Sequence, residues 1–178
     1  MVPVVPGSMA RIISERDPTR TPVVLRYHTL RREQRLSQPP EAVFDFFGDA
    51  GNLELLTPPS LRFDVVTPRP IEMGAGALIE YRLRVRGLPV MWLTRIDDWE
   101  PARRFVDVQL AGPYALWHHT HTFEPDETGG TIMRDAVRYA LPWWPASGVV
   151  HRLFVARELA AIFAFRRQEV ARRFGTHA

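Results

Sequence analysis

A strict alternation of apolar and charged residues in the middle of the chain limits the fold more than any other feature. From Ala77 the sequence reads ALIEYRLRVR, with apolar and charged side chains taking turns after the first two residues. Successive side chains of a β-strand point to opposite faces, so this period of two predicts a strand with one buried face and one wet face. Gly87-Leu88-Pro89 then indicates a turn, and Val90 to Trp99 indicates an antiparallel return strand.

Other short strands are predicted on both sides of this pair. They are Val24 to Leu36, Leu61 to Thr67, Arg104 to Leu110, Tyr114 to Glu124 and Thr131 to Leu141. Two short helices are expected after the first of them. One begins at Pro39-Pro40, because proline suits the first turn of a helix, and the other covers Asn52 to Thr57 and ends at Pro58-Pro59.

The end of the chain predicts one long helix. It begins near Ser147, which suits an N-cap, and ends near Gly175, so it would measure about 40 Å. Its apolar stripe consists of Val155, Leu159, Ile162, Phe163 and Val170, whereas Arg157, Arg166, Arg167, Arg172 and Arg173 are expected to reach water. Strands followed by a helix that can lie along a curved sheet indicate the α+β class.

Composition narrows the kind of protein. The chain has 178 residues, 46% of them hydrophobic, which is typical of one packed domain. All basic residues are arginines, and the acidic residues are interspersed among them with a net charge of only +3, so we expect no nucleic-acid partner. The lack of cysteine excludes a disulfide framework and a thiolate metal site.

The proline-rich beginning of the chain is expected to be a flexible extension, residues 1–22, ahead of a single domain, residues 23–178. The extension lacks a basic region followed by a long apolar run, which argues against a signal peptide. No apolar run approaches the ~20 residues that span a bilayer. We therefore expect a cytoplasmic protein without integral membrane association.

The stretch WHHTHTF, residues 117–123, holds three of the six histidines. Alternation places His119 and His121 on the face that carries Trp117 and Phe123, and the two large aromatics make this the inner face. His118 should point outward. By the same alternation, Asp135 and Tyr139 face inward in the next strand, because Arg134 and Arg138 are expected to face water.

Hairpin lengths decide which polar residues meet. A three-residue loop at 112–114 would place Asp107 opposite His119 and Gln109 opposite Trp117, and directly opposed residues share a face. A five-residue loop at 126–130 would place His121 opposite Asp135, and a loop longer by two would place His119 there. A change of one residue in either loop would reverse the faces.

The inner surface predicted in this way is too polar for a dry core. It carries Tyr81, Trp92, Thr94, Asp107, Gln109, Trp117, His119, His121, Asp135 and Tyr139. Buried polar groups need hydrogen-bond partners. We therefore predict a cavity with Asp–His pairs and water at its floor and aromatic rings in its walls.

From Pro39 to Arg166 the chain resembles the ligand-binding SRPBCC proteins, the START/Bet v 1/polyketide cyclase superfamily. The matching stretches include PPEAVFDFFGDAGNLELLTPPSLRF, FVDVQLAGPYALWHHTHTF and GGTIMRDAVRYALP. The resemblance implies a helix-grip fold, in which a curved antiparallel sheet wraps around a long C-terminal helix and encloses a cavity. It also implies binding of lipids, sterols, polyketides or other aromatic molecules. Some relatives are aromatase/cyclases or hydratases, others carry a ligand, and some accompany an epimerase-like oxidoreductase.

We predict that the protein binds a small hydrophobic or aromatic molecule without changing it. The predicted contacts are Tyr81, Trp92, Asp107, Gln109, Trp117, His119, His121, Asp135 and Tyr139. The alternative is a polyketide cyclase/dehydratase-like enzyme that uses Asp107–His119 or Asp135–His121 as its acid/base pair. A second alternative is an interaction module that partners an epimerase-like oxidoreductase.

A metal site is the other interpretation of His119 and His121, with Asp107 or Asp135 as a further ligand. Any two histidines that stand two residues apart in a strand share a face, so this spacing is weak evidence by itself. The family resemblance brings no metal either. From the sequence we therefore expect no cofactor.

Overall fold

Antiparallel strands form the framework of the protein. The computed structural model describes residues 8–11, 24–142 and 151–176. The strands are β1 (Ser8–Arg11), β2 (Val24–Leu36), β3 (Asp64–Val65), β4 (Leu78–Val85), β5 (Leu88–Glu100), β6 (Arg104–Ala111), β7 (Leu116–Pro125) and β8 (Thr131–Ala140). Strands β2 to β8 form a curved sheet in the order β2-β8-β7-β6-β5-β4-β3, and β1 pairs with β2. The segment 1–22, which we expect to be flexible, thus includes one strand, and its other residues lie outside the described ranges.

The helices lie after β2 and at the end of the described chain. They are α1 (Pro40–Gly48), two 3₁₀ turns (Ala50–Asn52 and Pro59–Leu61), one π-helical turn (His151–Val155) and α2 (Ala156–Phe174). The sheet and the long final helix confirm the predicted helix-grip architecture. The predicted helix start at Ser147 lies outside the described residues. Of the described helices, neither α1 nor α2 has the length and hydrophobicity that a membrane crossing requires.

Two local expectations need correction. The segment predicted as a helix over 52–57 forms successive turns with hydrogen bonds between residues three apart, such as Leu56 to Leu53. The turn predicted at 87–89 lies earlier, because Val85 pairs with Leu88 and leaves only Arg86 and Gly87 between the strands. Both turn residues have positive φ, 52° and 82°, which is the geometry that fits a two-residue hairpin to the twist of its strands.

The register of the central strands agrees with the predicted pairing. Asp107 of β6 lies opposite His119 of β7. In the next hairpin Pro125 pairs with Thr131, which leaves a five-residue loop and places His121 opposite Asp135 of β8. The shorter of the two predicted loop lengths is therefore confirmed, and the carboxylates and histidines share the inner face.

An aromatic cluster packs α1 against the inner face of the sheet. The buried residues of this cluster are Leu36, Val43, Phe44, Phe47, Leu56, Phe105, Phe123, Met133, Val170 and Phe174. Phe44 of α1 meets Phe105 and Phe123 edge-on at 5.9 and 5.5 Å between ring centroids. Full burial of one such side chain stabilises a fold by about 2–3 kcal/mol. A second cluster holds α2 against β8 through Leu159, Phe163, Val137 and Tyr139.

The turn before α2 is attached to the sheet through a buried histidine. The Tyr139 hydroxyl lies 2.8 Å from His151 Nε2, and the His28 ring stacks on His151 at 3.4 Å between centroids. Burial lowers the pKa of His151 to about 4, and the neighbouring His28 adds to this effect. His151 is therefore neutral near pH 7, and in the tautomer with its hydrogen on Nδ1 the Nε2 atom accepts a hydrogen bond from the tyrosine hydroxyl.

We expect this contact to lose its stabilising effect in acid. In the unfolded state His151 has its ordinary pKa of 6.5, whereas in the folded state its pKa is about 4. Between these two pH values the unfolded state binds a proton that the folded state does not, so the free energy of unfolding falls as the pH falls. The substitution His151→Gln keeps an acceptor for Tyr139 but does not titrate. Its free energy of unfolding, measured by urea denaturation, should fall less over this range than that of the wild type. Equal falls would contradict the proposed role of His151.

Candidate functional site

A cavity of about 640 Å³ lies between the inner face of the sheet and α2. Its walls come from β4 to β7, from the turns that follow α1, and from α2. Most of the lining is apolar, including Leu61, Ile79, Leu83, Val90, Ile96, Leu159 and Ile162. Phe154, Arg86 and Leu88 also belong to the lining, and Leu88 and Phe154 remain exposed. Arg86 lies over the Phe154 ring at 4.4 Å and links the β4–β5 hairpin to the turn before α2.

Two histidines and two aspartates form a buried polar group on β6, β7 and β8, which we call the His–Asp tetrad (Asp107, His119, His121 and Asp135). His119 Nε2 lies 2.9 Å from Asp135 Oδ1, and His119 Nδ1 lies 3.4 Å from Asp107 Oδ2. His121 Nε2 lies 3.2 Å from the same Asp107 oxygen, and His121 Nδ1 lies 2.8 Å from Asp135 Oδ1 without hydrogen-bond alignment. Each histidine therefore stands between both carboxylates.

The charges of the tetrad follow from burial and from these contacts. Burial raises the pKa of each aspartate, but the histidines outweigh it and hold the pKa of Asp107 and Asp135 below the ordinary value. Burial, together with His121, lowers the pKa of His119. Burial also lowers the pKa of His121, but its hydrogen bonding and attraction to the two carboxylates outweigh that effect and raise it. Near pH 7 the tetrad therefore has two charged carboxylates and a neutral His119, and His121 holds a proton more readily than a free histidine does.

An arginine of α2 lies near this negative group. Arg166 lines the cavity and has its guanidinium 5.2 Å from the Phe163 ring centroid. Its charge also contributes to the lowered pKa of Asp107. Its Nε is buried and has no hydrogen-bond partner among the described residues. We expected Arg166 to reach water, and the structure leaves it half-buried in the cavity wall. It shares the helix face of Leu159, seven residues earlier, and this spacing is the signal in the sequence for its place in the wall.

Aromatic and hydroxyl side chains of β4 and β5 lie on another part of the wall. Tyr81 and Thr94 hydrogen-bond through their hydroxyls at 3.0 Å, and burial raises the pKa of Tyr81. Trp92 packs edge-on against Trp117 at 5.2 Å between ring centroids and is only 7% exposed. Its indole N–H has no acceptor among the described residues.

Comparison with solved structures identifies the fold. A START superfamily protein from Mycobacterium smegmatis aligns with a TM-score of 0.59 at 11% identity, over 82% of this chain and 98% of its own. An aromatase/cyclase from Streptomyces sp. R1128 aligns with a TM-score of 0.60 at 15% identity, over 83% of this chain and 96% of its own. The chain has an SRPBCC-like fold.

A third similar structure is a larger protein, of which this chain matches only a part. A nucleoside-diphosphate sugar epimerase from Corynebacterium glutamicum aligns with a TM-score of 0.61 at 28% identity. The alignment covers 80% of this chain and only 28% of the epimerase, so the SRPBCC-like chain corresponds to about a quarter of that protein. Comparison with protein-family models gives no match, and comparison with curated proteins gives none.

Six of the nine predicted contact residues line the cavity of this SRPBCC-like fold. They are Tyr81, Trp92, Asp107, Trp117, His119 and His121. The predicted inward orientation of the two histidines is confirmed, since each is 4% exposed. His118 lies on the other face, where it is half-buried opposite Val108 and Arg138.

The other three predicted contacts do not line the cavity, and each has a protein partner instead. Gln109 donates to the backbone carbonyl of Tyr114 at 2.7 Å and so braces the β6–β7 loop. Asp135 contacts both histidines of the tetrad. Tyr139 bonds to His151. Inner-face alternation cannot separate these roles, because it gives only the direction of a side chain and not what covers it.

We expect Asp135→Asn to lower the free energy of unfolding by about 3 kcal/mol, because it removes a buried carboxylate that contacts both histidines of the tetrad. Asp97→Asn is a matched control at an exposed ion pair with Arg95, where the loss should stay below about 1 kcal/mol. Urea denaturation at neutral pH measures both. Similar losses in the two variants would show that the tetrad is not held together by charge.

Proposed function

We propose that the protein binds a small hydrophobic or aromatic molecule that carries one or a few polar groups. The observation that supports this most is the cavity of about 640 Å³, which falls within the roughly 300–1,000 Å³ typical of small-molecule sites. Its apolar walls favour a largely nonpolar ligand body. The tetrad on one side favours a polar group at one end.

The polar groups are few and lie close together, which favours one orientation of the ligand. Asp107, His119 and His121 contribute acceptors and donors from the sheet, and Arg166 contributes a cation from α2. Tyr81 adds a hydroxyl that is already bonded to Thr94. A ligand oxygen directed to this region would find charged and neutral partners, whereas the rest of the molecule would contact aliphatic and aromatic side chains.

The aromatase/cyclase among the structural neighbours supports an aromatic or polyketide-like ligand. The epimerase match supports a further proposal, in which the protein acts beside an epimerase-like oxidoreductase. These two roles are compatible. A stoichiometric epimerase-like partner that co-purifies without any bound small molecule would favour the interaction role alone.

We expect Leu83→Trp to weaken binding of an aromatic probe, 2-naphthol, by about tenfold, because the larger side chain takes up space in the cavity. Arg84→Trp is the matched control, since Arg84 is the next residue of the same strand and is exposed. Isothermal titration calorimetry with both variants and the wild type gives the affinities. Equal affinity of all three proteins, or no binding by the wild type, would contradict the cavity as the site.

We further expect native mass spectrometry of freshly purified protein to detect a bound molecule that is released unchanged. Carriage without chemistry predicts that the recovered ligand keeps its mass and chromatographic behaviour after prolonged incubation with the protein. Conversion to a dehydrated or cyclised product would instead favour the cyclase/dehydratase-like alternative.

A further inference from the structure

Three members of the tetrad line the cavity, and their nitrogen and oxygen atoms lie close to one another. Asp107 Oδ2 lies 3.4 Å from His119 Nδ1 and 3.2 Å from His121 Nε2. One ligand atom from each of these three residues lies within 4.8 Å of the others. Atoms that bind a tetrahedral ion at about 2.0–2.1 Å are about 3.3–3.4 Å apart. Both measured separations agree with that value to within about 0.2 Å.

Asp135 occupies the position of a supporting carboxylate. Its Oδ1 lies 2.9 Å from His119 Nε2 and 2.8 Å from His121 Nδ1, the ring nitrogens that are not directed at Asp107. Asp135 does not line the cavity, whereas the other three members of the tetrad do. Metal-binding histidines commonly donate their second ring N–H to such a carboxylate, as His119 Nε2 does here, which fixes the tautomer and the ring orientation.

The orientation of His119 suits metal binding. His119 Nε2 hydrogen-bonds to the Asp135 carboxylate, which accepts only, so Nε2 carries the hydrogen. The other ring nitrogen, Nδ1, faces a second carboxylate oxygen, Asp107 Oδ2, at 3.4 Å. In the tautomer with the hydrogen on Nε2, the lone pair of Nδ1 is available to a cation that Asp107 Oδ2 would also bind.

We propose that Asp107, His119 and His121 bind one divalent first-row transition metal ion, such as Zn²⁺, at the polar side of the cavity. Two imidazoles and one carboxylate suit such ions better than Mg²⁺ or Ca²⁺, which prefer oxygen ligands. From the sequence we expect no cofactor, because the spacing of the histidines alone is weak evidence. The structure adds a third ligand, Asp107, beside the two histidines. It also adds Asp135 as a carboxylate that supports them from behind.

The proposal also narrows the ligand, and this part rests on the proposed function. Three protein ligands leave a coordination position open, and since all three residues line the cavity, that position lies on the ligand side. A carbonyl, hydroxyl or phenolate oxygen of an otherwise apolar molecule would complete the coordination. The metal would polarise this oxygen as a Lewis acid.

The direct test uses the full chain, purified without a histidine tag and treated with a chelator. Titration with Zn²⁺ should show saturable binding of about one equivalent, and Co²⁺ should give the visible absorption of a four- or five-coordinate ion. Asp107→Asn and His121→Gln should each weaken Zn²⁺ binding by at least about 100-fold, and Asp135→Asn by about 10–100-fold. His118→Gln, a histidine of the same strand on the opposite face, should leave the affinity unchanged.

Two results would overturn the metal proposal. One is the absence of saturable Zn²⁺ binding by the wild type. The other is an equal loss of affinity in His118→Gln and in the tetrad variants, which would indicate adventitious surface binding. Circular dichroism of every variant ensures that only folded proteins are compared, and Asp107→Asn serves as the decisive variant if His121→Gln unfolds.

The ligand part has its own test, which also separates the two proposals. Zn²⁺ should tighten binding of 2-naphthol by at least about tenfold and leave naphthalene, which has no oxygen, unaffected. If the wild type binds 2-naphthol but no Zn²⁺, the proposed function stands and the metal site is wrong. If it binds Zn²⁺ but neither aromatic probe, the metal site stands and the proposed cavity function is wrong.

Discussion

The pairing register of β6, β7 and β8 is the constraint on which the site depends. Because side chains alternate between the two faces, a slip of one residue between β7 and its neighbours would move both histidines to the outer face and bring His118 inward. Two short loops prevent this slip. Gln109 hydrogen-bonds to the backbone of Tyr114 in one loop, and Asp126 accepts from the backbone of Thr128 and Gly130 in the other.

A sheet that carries four ionisable groups on its inner face must compensate for their burial. The tetrad does so internally, since each histidine contacts both carboxylates. The cavity costs packing as well, because side chains around empty space lose dispersion contacts. The aromatic cluster around Phe44 and Phe123 supplies dense packing beside the cavity. Three of its members, Phe47, Leu56 and Phe105, also line the cavity, so the packed region directly supports the wall.

Much of this arrangement could be predicted from the sequence, and the exceptions have physical reasons. Alternation places His119 and His121 correctly because each strand has one apolar face, and the five-residue loop places Asp135 beside them. The same rule also places Gln109 and Tyr139 inward, but their partners are the Tyr114 backbone in a loop and His151 in a turn, where strand alternation does not apply. The place of Arg166 in the cavity wall is not predicted, because a charge on a helix suggests only contact with water, although Arg166 lies seven residues after Leu159 on the same helix face.

The single oxygen that Asp135 directs at both histidines has a mechanical consequence. His119 and His121 rest on the same atom from two sides, and their ring centroids are only 3.7 Å apart. A rotation of either ring therefore pushes on its neighbour and on their common support. A substitution that changes one ring, or that moves the carboxylate behind both, therefore also changes the surroundings of the other ring.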